Sequence, residues 1–130
     1  MMSKIDKYDF KTFEDIKHID ENGNEYWFAR ELQVVLEYKE WRNFEKSINK
    51  ALISMKNSNN NVYDWVVELN KPITTGKGRI EFIKEYKLSR YACYLIVQNG
   101  DPRKEVIALG QTYFIMRDTK DYIMEKQQMI

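Results

Sequence analysis

Residues 15–38 read DIKHIDENGNEYWFARELQVVLEY, and the hydrophobic period changes partway along this stretch. Asn22-Gly23 lies between two runs suited to extended chain, the short-range signal for a hairpin whose two central turn residues take positive φ. The reading is a strand over 15–21, a turn, and a strand over 24–28. From Ala29 on, Leu32, Val35 and Leu36 fall at helical spacing, which predicts a helix over 29–37. A hairpin running straight into a helix argues for α+β: small hairpins or a short sheet packed with four or five helices.

Beyond Tyr38 the pattern restarts. Trp41, Phe44, Ile48, Leu52 and Met55 recur at three- and four-residue steps, one face of a helix from about residue 40 to 56. Lys39, Arg42, Lys46, Asn49 and Lys50 gather on the opposite side of the wheel. Two helices joined by a short turn have the outline of a helix-turn-helix, although the joint lacks the glycine often found there. The run NSNNN at 57–61 breaks the second helix.

Residues 62–70 are compatible with a short helix or a strand. KPITTGKGR at 71–79 reads as a loop, and alternation predicts a strand over 80–86, so 66–86 form a hairpin with a mobile basic tip. Ser89 is placed to cap a helix ending at Gly100, a position where a left-handed glycine is favoured. Asp101-Pro102 then restarts the chain, Asp as N-cap and Pro in the first turn of a last helix over 102–126. That helix is expected to reach toward a further segment or a second copy of the chain, making a homodimer.

The 130 residues suit one domain, since domains commonly hold about 100–200 residues. Residues 1–12 are expected to be disordered or loosely docked, and 102–130 to form one long helix. The composition, 43% hydrophobic and 32% charged, is that of a globular protein. No run approaches the roughly 18 apolar residues of a membrane span, and the opening MMSKIDKYDF has no apolar core of a secretory signal. A single cysteine, Cys93, excludes an internal disulfide and fits a reducing cytoplasm. With one histidine and one cysteine, neither a metal site nor a cofactor is expected.

The formal net charge of +1 hides an asymmetry. Residues 39–104 carry 13 basic and 7 acidic side chains, whereas residues 1–38 carry 5 basic and 9 acidic. A central basic block attracts phosphate backbones, though the same charges also make an ordinary solvated surface. The candidate contacts are Lys39, Arg42, Lys46 and Lys50 on the helix and Lys77 and Arg79 in the loop. Gly76-Lys77-Gly78-Arg79 is not a phosphate-binding P-loop, which needs G-x-x-x-x-G-K-[ST] between strand and helix. His18 has no acidic or nucleophilic partner in the pattern, and Cys93 sits among apolar neighbours. Trp27, Phe44, Phe82 and Phe114 are expected in the core. The scattered carboxylates show no two-metal arrangement, so the chain reads as a non-enzyme with no catalytic residues.

FEDIKHIDENGNEYWFARELQVVLEY, WRNFEKSINKA and above all YKLSRYACYLIVQNGDPRKEVIALGQTYF resemble the DNA-damage-inducible protein D family. The resemblance covers about residues 13 to 117. More distantly, a hairpin leading into Ala29-Arg30-Glu31-Leu32 is similar to the BRO-type N-terminal domain. The resemblance implies a bacterial, cytoplasmic protein of the DNA-damage (SOS) response, with the RecA recombinase filament and DNA, single-stranded or duplex, as partners. It also implies that the chain corresponds to the N-terminal half of a longer protein. Two functions stay open. One is a DNA-binding regulatory domain acting in recombinational repair, and the other a module that modulates the recombinase filament without itself binding DNA.

Overall fold

The computed structural model describes residues 10–58 and 65–115. In chain order the elements are α1 (Phe10–Glu14), β1 (Lys17–Ile19), β2 (Glu25–Phe28), α2 (Ala29–Val35), α3 (Trp41–Asn57), β3 (Val66–Thr74), β4 (Ile80–Leu88), α4 (Arg90–Gln98) and α5 (Glu105–Ile115). The strands form one antiparallel sheet in the order β1-β2-β4-β3. Five helices on a four-stranded antiparallel sheet, among the described residues, bear out the α+β expectation.

The first hairpin forms where expected, but its turn differs. The loop closes through Asp20 N–H to the Asn24 carbonyl at 2.9 Å and Gly23 N–H to the Asp20 carbonyl at 3.0 Å. Only Gly23 takes a positive φ, +83°, as in a three-residue loop ending in a left-handed glycine. Asp20 Oδ1 accepts from the backbone N–H groups of Asn22 and Asn24, at 2.8 and 2.9 Å. These bonds, that to Asn24 first, hold its carboxyl below the usual range. The tip of the second hairpin repeats the design: Thr75 donates to the Arg79 carbonyl, Gly78 donates to the Thr75 carbonyl, and Gly78 has φ +75°.

The second hairpin is longer than the alternation suggested. β3 and β4 pair without a break from Val66↔Leu88 to Thr74↔Ile80, so Lys71–Thr74 are strand, not loop. Pro72 fits because β3 lies at the sheet edge, where a missing N–H is tolerated. At the α2–α3 joint the place of the missing glycine is taken by Glu37, at φ 64°, while Tyr38 N–H closes on the Gln33 carbonyl at 3.0 Å.

The core lies between one sheet face and the helices. Trp27 is fully buried and its indole Nε1 donates to the Phe13 carbonyl at 3.0 Å. Phe114 and Tyr113 meet its ring edge-on at 5.1 and 6.2 Å, and Phe13 packs on both of them at 5.0 and 5.2 Å. Phe10 packs edge-on to Tyr113, so Phe10–Thr12 belong to a docked helix rather than a loose tail, while residues 1–9 lie outside the described residues. Trp27, Phe44 and Phe114 are core residues as expected, but Phe82 is 66% exposed. Strand alternation alone does not reveal whether a helix covers the face it defines.

Arg90, only 7% exposed, joins three elements. Nε and Nη2 donate to the two Glu25 carboxylate oxygens at 2.7 and 2.8 Å, and Nη1 donates to the Tyr113 carbonyl at 3.1 Å. The bidentate fork holds β2, α4 and α5 together.

Ser89 caps α4, its hydroxyl accepting from Ala92 N–H at 3.1 Å. Gly100, however, is not left-handed: positive φ occurs in the described glycines only at Gly23 and Gly78. It is needed for space, because a Cβ there would lie 2.9 Å from Ile107 Cδ1 and 3.0 Å from Cγ2. Asp101 does not cap the last helix either. Its Oδ1 accepts from Arg103 N–H at 3.0 Å in a local turn, and α5 begins only at Glu105. The expected continuation over 116–130, with its dimer contact, lies outside the described residues.

Candidate nucleic-acid interface

α3 buries Phe44, Ser47, Ile48, Ala51 and Met55, with Trp41 and Leu52 partly covered. Burying that face turns Arg42, Lys46 and Lys50 outward; Lys39 lies before α3 rather than on it as expected, and all four are exposed. Arg42, Lys46 and Lys50 are successive i,i+4 neighbours, about 6 Å apart along one ridge. Among the described residues none of these cations pairs with a carboxylate.

Of the two carboxylates that dilute the field, Glu40 stays exposed just before α3, whereas Glu45 is engaged elsewhere. Its Oε2 accepts from the Tyr86 hydroxyl at 2.9 Å and lies 3.1 Å from Lys84 Nζ. Partial burial pushes the Glu45 carboxyl up, and the bonds from Lys84 and Tyr86 more than offset this, leaving it low. The Lys84 ammonium is correspondingly raised, first by its bond to Glu45. Burial, and the proton it donates to Glu45, push the Tyr86 phenol up to about 12.

Lys77 and Arg79 are exposed at the tip of the β3–β4 hairpin, as expected. They do not join the helical cations in one cluster. β4 reaches α3 through Lys84 and Tyr86, the latter stacked on Trp41 at 6.1 Å. Arg79 lies five residues beyond Lys84, roughly 16 Å along an extended strand. The candidate surface is therefore a helical ridge and, apart from it, a basic tip.

The sequence reading missed Glu85, 2% exposed, which serves the start of α2. Its Oε1 accepts from Arg30 N–H at 3.0 Å and from Tyr86 N–H at 2.9 Å. Arg30 donates from Nε to the Lys84 carbonyl at 3.0 Å, with its guanidinium 3.7 Å from the centre of the Trp41 ring. Arg30 is thus a structural cation that joins α2, β4 and α3. No spacing rule links residues more than fifty positions apart.

His18 has an acidic partner after all: Nε2 lies 2.6 Å from Glu31 Oε1. The partner was missed because α2 folds back beside β1. The ring also stacks on Tyr26 at 5.3 Å and meets Phe28 edge-on at 4.8 Å. Cys93 is fully buried, and burial pushes its thiol well above the ordinary value, so the reactive thiolate is disfavoured. A cleft of about 920 Å³ opens beside Tyr26, Lys87, Tyr91 and Tyr94. Of the charges at its wall, Arg90 and Glu25 already neutralise each other. Among the described residues there is no group of three His, Cys, Asp or Glu side chains able to hold a metal, and no helix long and apolar enough to cross a membrane.

Comparison with known proteins places this geometry in a family. The chain is 41% identical over 117 residues to DNA damage-inducible protein D of Escherichia coli K12, covering 90% of this chain and 43% of that protein. It therefore spans less than half the length of this curated relative. No solved structure matches it. The model of the BRO family, N-terminal domain, matches residues 15–115, from the entry to β1 through the end of α5. The chain belongs to the BRO family, of which it carries the N-terminal domain.

Proposed function

We propose that this chain is a non-enzymatic DNA-binding regulatory domain of a DNA-damage response protein that acts in recombinational repair. Lys39, Arg42, Lys46 and Lys50 grip the phosphate backbone, and Lys77 and Arg79 add contacts from the hairpin tip. The observation that carries the reading is the α3 ridge, where exposed cations stand without carboxylate partners among the described residues. Cations left unpaired on a rigid helix can neutralise phosphates and so release the counterions condensed on DNA. The name of the Escherichia coli relative supports a link to DNA damage. The single cysteine, buried as a free thiol, suits a reducing cytoplasm. The SOS regulon and the RecA filament enter through the family resemblance.

Charge reversal of Arg42 and Lys46 together tests the reading, with a labelled duplex, single-stranded DNA and recombinase measured side by side. The expected result is at least a tenfold loss of DNA affinity at every sequence. The slope of log affinity against log salt should also flatten, by about 0.9 for each duplex phosphate that the variant no longer neutralises. Unchanged DNA binding overturns the assignment of this ridge. If the same variant keeps DNA binding and loses recombinase binding, the ridge belongs to a protein partner.

A further inference from the structure

β4 pairs with β2 only at Lys87 and Leu88, so from Tyr86 outward its described pairing is with β3 alone. Lys84, Glu85 and Tyr86 are still tied to α2 and α3, but Ile80–Ile83, Lys71–Thr74 and the turn between them form a two-stranded ribbon. Cross-strand partners share a face, which places Thr74, Ile80, Pro72 and Phe82 together on one side. On that side Ile80 is 67% and Phe82 66% exposed, an apolar pair standing in water at the end of an arm. Contiguous exposed apolar side chains on a protruding element mark a contact surface.

Charge selects the occupant. Within 71–83 the titratable groups are Lys71, Lys77, Arg79 and Glu81, and Lys77 and Arg79 flank the tip without a carboxylate partner among the described residues. Net positive charge around an apolar pair complements a polyanion that offers an apolar interior, which stacked base pairs do. The outer edge of β3 is ill suited to pairing with another strand, because Pro72 interrupts its row of N–H donors. Proteins that read DNA with strands lay them in the major or the minor groove, and minor-groove binders commonly push Phe, Ile or Pro side chains between base steps, widening that groove.

We propose that the β3–β4 arm enters the minor groove of duplex DNA, wedging Phe82 and Ile80 against a base step while Lys77 and Arg79 hold the flanking phosphates. This rests on the DNA-binding reading above and adds to it a named substrate, duplex, and a deformation, local unstacking with a bend.

The test uses the whole chain and a 30-base-pair duplex with donor and acceptor dyes at its ends and 2-aminopurine within. The wild-type protein should raise both energy transfer and 2-aminopurine fluorescence on binding. Ile80→Ser with Phe82→Ser should abolish both signals, lower affinity less than about tenfold, and leave the salt slope unchanged. Circular dichroism of that variant should match the parent, since both side chains are exposed. Binding by the wild type without bending or unstacking overturns the wedge and leaves the DNA-binding reading intact. Bending unaffected by the double substitution, or binding confined to single strands, also overturns it. If sedimentation shows that the substitution abolishes self-association while bending persists, the arm serves a second copy of the chain. If the wild type binds no DNA, both readings fall together.

Discussion

The region around Trp27 and the β3–β4 arm are opposites built from similar residues. Trp27, Phe13, Tyr113 and Phe114 are at most 2% exposed, whereas Phe82 and Ile80 are 66% and 67% exposed. The difference is a matter of layers. Trp27 lies beneath α1 and α5, so its strand has a helix-covered face. The arm has run past the helices, and its strands pair only with each other. Both regions hold large apolar side chains; what differs is whether anything is left to cover them. The body is therefore where stability resides, and the arm is where contacts with a partner are available.

Substitutions graded from body to arm test that contrast, and the largest effect belongs to Glu25→Ala. It strips the buried Arg90 guanidinium of its bidentate partner and should cost about 3 kcal/mol in urea unfolding, because a buried charge is left unpaired. A cost under about 1 kcal/mol would mean that the Arg90 fork does not hold the body together.

Gly100→Ala should cost about 1–2 kcal/mol, because its Cβ would be driven onto the buried Ile107 side chain. The cause is checked by adding Ile107→Val, which removes the Cδ1 atom 2.9 Å away and should recover part of the loss. No recovery would place the clash on Ile107 Cγ2 and the Val97 carbonyl, 3.0 and 3.3 Å away, which the second substitution leaves in place.

At the junction between body and arm, Tyr86→Phe removes the hydrogen bond to Glu45 and should cost about 1 kcal/mol at neutral pH. Burial of the phenol, together with this hydrogen bond, makes stability depend on alkaline pH. A free phenol titrates near 10, and in the fold Tyr86 is pushed up to about 12. Below pH 10 both states keep the proton. Between 10 and 12 the unfolded chain releases it first, so stability falls as pH rises. Cys93 and Tyr113, also raised by burial, add to the alkaline loss. The Tyr86→Phe variant should show a shallower decline across this window when denaturant midpoints are compared.

The smallest effect is expected on the arm. Phe82→Ser should change stability by less than about 0.5 kcal/mol, because an exposed side chain gives up little on unfolding. A cost near that of a core phenylalanine would show that the arm is packed in solution and that the contrast is false.

Local chemistry made much of this molecule legible. The first hairpin, the start of α2 at Ala29, the amphipathic α3 and the Ser89 cap follow from rules that act within a few residues. The exposure of Arg42, Lys46 and Lys50 followed too, since burying Phe44 and Ile48 leaves those positions on α3 no other side, whereas Lys39 precedes the helix. Asp101 is instructive in the opposite direction. Its side chain does bond a nearby backbone N–H, as the sequence suggested, but in a turn before α5, which begins only at Glu105.

The amino-acid sequence by itself determined the first hairpin, α2, α3, β4 and the capped start of α4, and which face of α3 is apolar, but not α1, the full length of β3 or the start of α5. Periodicity and capping are properties of neighbours in the chain. Only the tertiary structure decided that Glu85 would serve the N–H of Arg30, that Arg90 would grip Glu25, that His18 would meet Glu31, and that Phe82 would stand in water rather than in the core. Each of these depends on which elements come to lie side by side. A side chain's burial and charge partners are set by residues distant in sequence, and no local pattern encodes their arrival.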